Sequence, residues 1–299
     1  TFTGGVASLH LVSSDVGQYE LTLLDDSSGM LKNSAGQPLP ITGSSNQLTV
    51  RPFGIHLQAP GNPAATSASG NAFVKAGDDF NVQATAVQYE GADHANGDGQ
   101  PDAGANLGNN AATPAFGTEM PAESVTLTSA LVAPAIASGA NDPGLAAGTT
   151  SITTFIGGSG ATTTSFDEVG IIAINAALTD ANYLASGRNI AGVINHVGRF
   201  YPHHFDVTDN TPALRDGSAS WSCDFTYQGQ PFGFSTEPQL TLTALNASGN
   251  PTQNYTVDFW KLAVPQHSIE LDVPSSPAGS SCVSVGAIGG GVGVASNPD

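Results

Sequence analysis

Glu168-Val169-Gly170-Ile171-Ile172-Ala173-Ile174-Asn175-Ala176 is the stretch whose reading decides the fold. After the glycine, Ile172, Ile174 and Ala176 fall on one face of an extended chain, because successive side chains of a strand alternate between faces. The same order occurs 153 positions earlier, where Asp15-Val16-Gly17 precedes Tyr19, Leu21 and Leu23. Both copies read as strands of a half-buried sheet entered through an acidic residue, a valine and a glycine.

Outward from these copies the chain is a succession of short strands and turns. Val6 to Val12 alternates and, across the Ser14-Asp15-Val16-Gly17 turn, predicts an antiparallel pair with the Tyr19 to Leu23 run. Residues 25–46 are polar and read as loop and linker, and a strand is expected from Leu48 through Val50-Arg51-Pro52-Phe53-Gly54-Ile55 to Leu57. Phe80, Val82, Ala84 and Ala86 mark another strand, followed by a polar insertion from Gly91 to Gly117. A loop of that length inside a compact unit is more often functional or disordered than incidental.

Strand character resumes at Val125, Leu127, Leu131 and Val132, while Ala133 to Gly148 has room for one short helical turn between its prolines and glycines. Ile152 to Ile156 and Ile171 to Ala177 follow as strands. The last third predicts strands at Phe205–Val207, Ser222–Tyr227, Leu240–Leu245, Tyr255–Trp260, Ile269–Val273 and Cys282–Ile288. Gly289 to Asp299 reads either as a final strand or as a linker.

Two further similarities accompany the first. Val50-Arg51-Pro52-Phe53 resembles Val197-Gly198-Arg199-Phe200, and Phe80, Val82 and Ala84 resemble Leu240, Leu242 and Ala244. Similar offsets point to one fold used more than once; chance likeness between alternating segments is the competing reading. The order predicts an all-β chain of tandem immunoglobulin-like or related β-sandwich modules with long loop insertions. Residues 1–47 would be the closing strands of one module and a linker, 48–197 a complete module, and 198–299 a further module. On this reading the chain begins inside one module and stops inside another.

Composition supports turns and sheets over helices: 36 glycines and 19 prolines punctuate a chain of 299 residues. Twenty-five acidic against seven basic side chains give a net charge of −18, which repels nucleic-acid phosphates and anionic membrane surfaces. Divalent cations and positively charged partners match it better, and plain solubility is the simpler reading. No membrane-spanning apolar run is present. The opening Thr1-Phe2-Thr3-Gly4 lacks an initiator methionine and reads as the start of a processed product or a segment of something longer.

Val197-Gly198-Arg199-Phe200-Tyr201-Pro202-His203-His204-Phe205, with Cys223-Asp224-Phe225-Thr226-Tyr227-Gln228-Gly229-Gln230-Pro231-Phe232 and Asn254-Tyr255-Thr256, resembles the uncharacterised C-terminal domain family of MshQ-like proteins. The resemblance extends upstream through Val50-Arg51-Pro52-Phe53, Pro114-Ala115-Phe116-Gly117-Thr118-Glu119 and Phe166-Asp167-Glu168-Val169-Gly170. It implies a bacterial envelope or surface role linked to the mannose-sensitive haemagglutinin type IV pilus, in attachment, with other surface or pilus subunits or glycans as partners. The family supplies no catalytic residues.

The candidate sites are few. Asn96, Asp98 and Asp102, spaced around Gly97 and Gly99, present oxygen ligands of the kind calcium takes, with a solvated loop as the alternative. His196, His203 and His204 cluster, but consecutive strand residues point to opposite faces, so zinc is disfavoured. Cys223 and Cys282 are expected to form a disulfide in an extracellular β module, a reduced buried pair being the alternative. Trp221, Tyr227 and Trp260, if exposed in a row, would stack on sugar rings; if not, they belong to the core. Asn246-Ala247-Ser248 and Asn254-Tyr255-Thr256 match the N-glycosylation pattern, which carries little meaning in a bacterial protein.

No nucleophile elbow or facing carboxylate pair is marked, so the chain reads as a non-enzyme. A structural or adhesive surface module leads. The alternatives are a carbohydrate-binding module and the non-catalytic part of a polysaccharide-acting enzyme. Strand addition at incomplete terminal modules is a further route to partners.

Overall fold

The computed structural model describes residues 3–25, 32–216, 232–261 and 292–294. Among them the chain is all β, with short 3-10 turns and no α-helix. The first strands are β1 (Gly17–Tyr19), β2 (Thr22–Asp25), β3 (Ile41–Ser44), β4 (Leu48–Val50), β5 (Gly54–Gln58) and β6 (Asp79–Val87). They are followed by β7 (Val125–Ala133), β8 (Ser151–Ile152), β9 (Ser159–Ser165), β10 (Gly170–Leu178) and β11 (Ala191–Phe200). The last are β12 (His204–Asp209), β13 (Ala213–Asp216), β14 (Phe232–Thr236), β15 (Gln239–Leu245) and β16 (Val292–Val294).

Two antiparallel sheets dominate, one ordered β5-β6-β9 and the other β11-β10-β7-β8. Alternation explains their shared core. Phe80, Val82, Ala84 and Ala86 of β6 turn inward, as do Ile172, Ile174, Ala176 and Leu178 of β10, and both sets belong to one buried cluster. Burying each of the larger side chains contributes about 1.5–3 kcal/mol. Phe80, Phe166 and Phe200 pack with ring centroids 5.1–5.5 Å apart near the end of β11.

β5 and β11 are edge strands of different sheets, and they run alongside each other. From Asn62 to Ala76 the chain follows β11 in the same direction. Asn62 Nδ2 donates to His196 O at 2.8 Å, Phe73 N to Arg199 O at 2.9 Å and Ala76 N to Tyr201 O at 2.7 Å. The seam is tight because Gly192 lacks a side chain: a Cβ there would stand 1.9 Å from the Ile55 carbonyl oxygen.

Several expected elements change. Val6 to Val12 is not a strand and does not pair with the Tyr19 run; Val6, Leu9, Leu11 and Val12 are all exposed. β1 pairs instead with β4, Gly17 facing Val50, and β2 pairs with β3, inside the stretch expected to be linker. The expected Leu48–Leu57 strand breaks at Arg51-Pro52-Phe53 into β4 and β5, since proline offers no N–H to a ladder. β9, Ser-Gly-Ala-Thr-Thr-Thr-Ser, has no apolar alternation to betray it, yet it pairs with β6 over its whole length. Of the expected 152–156 strand only Ile152 falls in one, as the end of β8, and Tyr255 to Trp260 holds a 3-10 turn at Val257–Phe259 instead of a strand. The expected strands at 222–227, 269–273 and 282–288 lie outside the described residues.

The pairing pattern recurs along the chain, in a register different from the expected one. Gly17 faces Val50 as Gly170 faces Phe200, which aligns Val50 with Phe200 and Pro52 with Pro202. Val50 does not correspond to Val197. The next steps agree: Phe53 N donates to Val87 O and His203 N to Leu245 O, both at 2.8 Å. Gly54 then faces Val87 as His204 faces Leu245. Thr113 and Thr252 each donate both N and Oγ1 to one carbonyl, Ala86 O at 2.9 and 3.1 Å and Ala244 O at 2.8 and 3.1 Å. The division expected between residues 197 and 198 falls inside β11.

Candidate functional site

Among the described residues, the repeated acidic residue forms a developed polar site. Glu168 is 1% exposed and sits between Phe166, in the core, and β10. Its Oε1 accepts from Val169 N at 2.7 Å and Asn254 N at 3.1 Å. Its Oε2 accepts from Gln253 N at 2.8 Å and Asn141 Nδ2 at 3.4 Å. A buried carboxylate is tolerable when N–H donors replace its lost water, and four donors do so here.

Asn254, also 1% exposed, completes the network. Its Nδ2 donates to Asn141 O at 2.8 Å and Val169 O at 3.1 Å, while its Oδ1 accepts from Asn141 N at 2.8 Å. Three chain segments, around 141, 168 and 254, are thereby locked to one another. Below them Val169, Ile171 and Phe259 form a small apolar cluster with Ala65 and Ala68, and Tyr255 packs against it.

Asp15 repeats the contact. Its Oδ1 accepts from Val16 N at 2.8 Å and Ala115 N at 3.0 Å, and Val16 enters the main core beside Phe116. In both copies the carboxylate binds the N–H of the following valine and a backbone N–H beyond a recurring threonine, Thr113 or Thr252. Gly17 and Gly170 follow at φ 137° and 151°, a backbone that side-chain-bearing residues rarely adopt. The acid-valine-glycine pattern was the sequence signal; Asn254 was legible only as part of the family-like Asn254-Tyr255-Thr256 motif and of a glycosylation pattern, neither of which indicates its buried hydrogen-bonding role. Asn246 is likewise buried at 3%, its Oδ1 accepting from Ser248 N and Asn250 N.

The other candidates lie apart. In the polar insertion, Asp98 N donates to Asn96 Oδ1 at 3.0 Å, Gln100 N to Asp98 Oδ1 at 2.8 Å and Ala95 N to Asp102 Oδ2 at 2.5 Å. These oxygens are held by the loop's own N–H groups. Asp93 just before them is 6% exposed, and its Oδ2 has no hydrogen-bond partner. No cluster of three or more His, Cys, Asp or Glu among the described residues is placed to hold a metal.

His203 and His204 do not diverge as expected. Their Nδ1 atoms are 2.9 Å apart, because His203 is the bend before β12 and alternation starts only at His204. His203 Nε2 also lies 3.6 Å from Asp78 Oδ1. Trp260 is half-buried and packs on Tyr255 with ring centroids 5.5 Å apart, while Tyr255 also meets Phe205 at 5.7 Å. Trp221, Tyr227, Cys223 and Cys282 lie outside the described residues.

The insertion also walls a cleft of about 720 Å³ against β5, β10 and β11. His56 stands in it, and burial lowers its pKa below the usual histidine value. Arg51 donates to Pro52 O at 3.2 Å and also binds Gly99 O, tying the insertion to the chain just before β5.

These features define a class: an all-β chain of recurring strand sets, each joined to the chain that follows through a carboxylate that accepts backbone N–H groups. A family model described as DUF6701, second domain, matches residues 51–182, and one described as DUF6701, third domain, matches residues 168–281. The chain belongs to the DUF6701 family, the MshQ-associated family that its sequence resembles. The two matches overlap at 168–182, a stretch that includes Glu168 and the whole of β10. No curated protein and no solved structure matches the chain.

Proposed function

We propose that this chain is a structural or adhesive segment of a bacterial cell-surface or type IV pilus-associated protein, in which successive modules are locked end to end. The observation that carries the reading is the Glu168–Asn254 junction, where hydrogen bonds and the Val169–Phe259 cluster join residues 141 and 168 to 253–259. An attachment segment must hold its shape under load, and a junction of buried charge-assisted bonds resists bending better than a flexible linker. The family membership supports the surface location, as does a net charge of −18 that suits no nucleic acid.

The module reading is immunoglobulin-like. It is supported by the order β5-β6-β9 against β11-β10-β7-β8, with the chain after β5 crossing over to run along β11. Strand addition belongs to the same proposal. Leu23 on β2 is exposed, whereas Ala176, its counterpart on β10 when Gly17 is set on Gly170, is buried; Leu24 and, on β3, Ile41 are exposed as well. Such a face suits a strand from a neighbouring subunit.

The test is antibody labelling of intact cells that produce the protein, alongside attachment assays of cells lacking it. Labelling that appears only after permeabilisation would sink the surface assignment. Calcium at Asn96, Asp98 and Asp102 is a second reading, favoured by the unpartnered buried oxygen of Asp93. A calcium-dependent rise in Tm that Asp98→Asn abolishes would support it, and an unchanged Tm would reject it.

A further inference from the structure

We propose that the cleft between residues 100–107 and the β5–β11 seam is a ligand site for a neutral saccharide. It rests on the surface reading only for where such a ligand is met. The cleft is held open by the fold itself. Residues 100–107 seat on Gly54, where a Cβ would come within 2.8 Å of Pro101 and 3.1 Å of Leu107. Its volume of about 720 Å³ lies within the roughly 300–1,000 Å³ usual for ligand sites.

The lining chooses the ligand class by exclusion. No Lys or Arg lines the cleft, so phosphate, sulfate and carboxylate groups would meet no counter-charge. Asp102 is the one carboxylate lining the cleft, and a cation held within the cleft would find no second anionic ligand there. An extended peptide is also excluded from pairing with β5, because Gly192 lies against the Ile55 carbonyl and closes that edge. What remains is a neutral ligand with both polar and apolar faces.

The polar side chains fit hydroxyl groups. Asn175, Asn195 and Gln100 each offer a donor and an acceptor, the pairing a sugar hydroxyl can satisfy in either sense. Among the described residues the side chains of Asn175 and Asn195 have no hydrogen-bond partner, and both are exposed. His56 adds an imidazole with no hydrogen-bond partner among the described residues, on the half-buried floor of the cleft. Leu57, Val193 and Ile194 supply the apolar surface against which the C–H face of a pyranose would lie.

The test uses the purified full chain on an array of neutral, sialylated and sulfated oligosaccharides, followed by calorimetric titration with the best neutral glycan. Binding of a neutral glycan is expected, weakened at least about tenfold by Asn195→Ala and by Ala103→Trp, which plugs the cleft from an exposed loop position. Both variants should keep the parent Tm. The proposal fails if only anionic glycans bind, if no neutral glycan binds, or if both variants bind as the parent does. Loss of binding in Trp260→Ala with both cleft variants unaffected would move recognition to the aromatic row. Since the assay needs no cells, failure here leaves the surface assignment untouched, and intracellular labelling leaves the cleft untouched.

Discussion

The carboxylate of Glu168 accepts the backbone N–H of Asn254 at 3.1 Å, across 86 residues of sequence, and each residue is 1% exposed. Charge is seldom buried without a cation beside it. Here backbone and amide N–H groups replace the cation, so the junction depends on geometry that only the folded chain provides.

Glu168→Gln puts an NH₂ where one oxygen accepted, leaving buried donors facing a donor. A loss of about 1–3 kcal/mol is expected, read as a lower urea midpoint. Limited proteolysis should then cut sooner within residues 250–261. Asp15→Asn should cost less, because Asp15 is only half-buried and accepts two N–H groups where Glu168 accepts four donors. Equal stability of Glu168→Gln and parent would reject the junction as a stabilising contact.

Gly192→Ala would drive a methyl group into the Ile55 carbonyl at the β5–β11 seam. A destabilisation of about 1–3 kcal/mol is expected from overpacking. Gly43→Ala is the control, since a Cβ there meets nothing within 4 Å, and its effect should stay within about 0.5 kcal/mol. Calorimetric Tm values for the two variants decide the matter; the reverse order would contradict the seam.

Thr113→Val and Thr252→Val each remove one buried hydroxyl bond, to Ala86 O and Ala244 O respectively. If the two strand sets are equivalent, both should lose about 1 kcal/mol. A large effect at one site with none at the other, measured by chemical denaturation, would break the equivalence.

Stability should also fall with rising pH at two groups. Burial holds the Tyr183 hydroxyl well above its usual range, helped by its 2.8 Å hydrogen bond to Glu119 Oε1. Burial likewise raises Glu123, against the opposing effect of Leu184 N. A raised folded pKa means that the native state keeps its proton while the unfolded chain releases it. The contribution of Glu123 is therefore complete below 4.5 and is lost as pH rises through its folded value; that of Tyr183 is complete below 10.0 and is lost in alkali. Glu123→Gln should flatten the Tm profile on the acid side, and Tyr183→Phe should flatten it above pH 10, with unchanged slopes counting against both assignments.

Much of the fold was legible where apolar alternation ran long enough. β6 and β10 are nine residues each, and their inward faces were readable from Phe80 to Ala86 and from Ile172 to Ala176. β9 was hidden because threonines serve either face of a strand, and β3 because four residues carry too little pattern. Val6 to Val12 shows the converse: alternation without a partner strand makes no sheet. The insertion at 91–117 was visible as a polar interruption, but nothing local showed that it would wall a cleft against β11.

The sequence by itself determined that the chain is β, that it repeats an acidic residue, a valine and a glycine before a strand, and that it carries strong negative charge. Each of these is a local property, set by side-chain periodicity and composition. Only the tertiary structure decided that Val50 matches Phe200, that Glu168 ends against Asn254 and that Gly192 meets Ile55. The physical reason is one of range: a ladder register or a buried carboxylate is satisfied by N–H groups far along the chain, and distant donors leave no mark on the residues beside the acceptor.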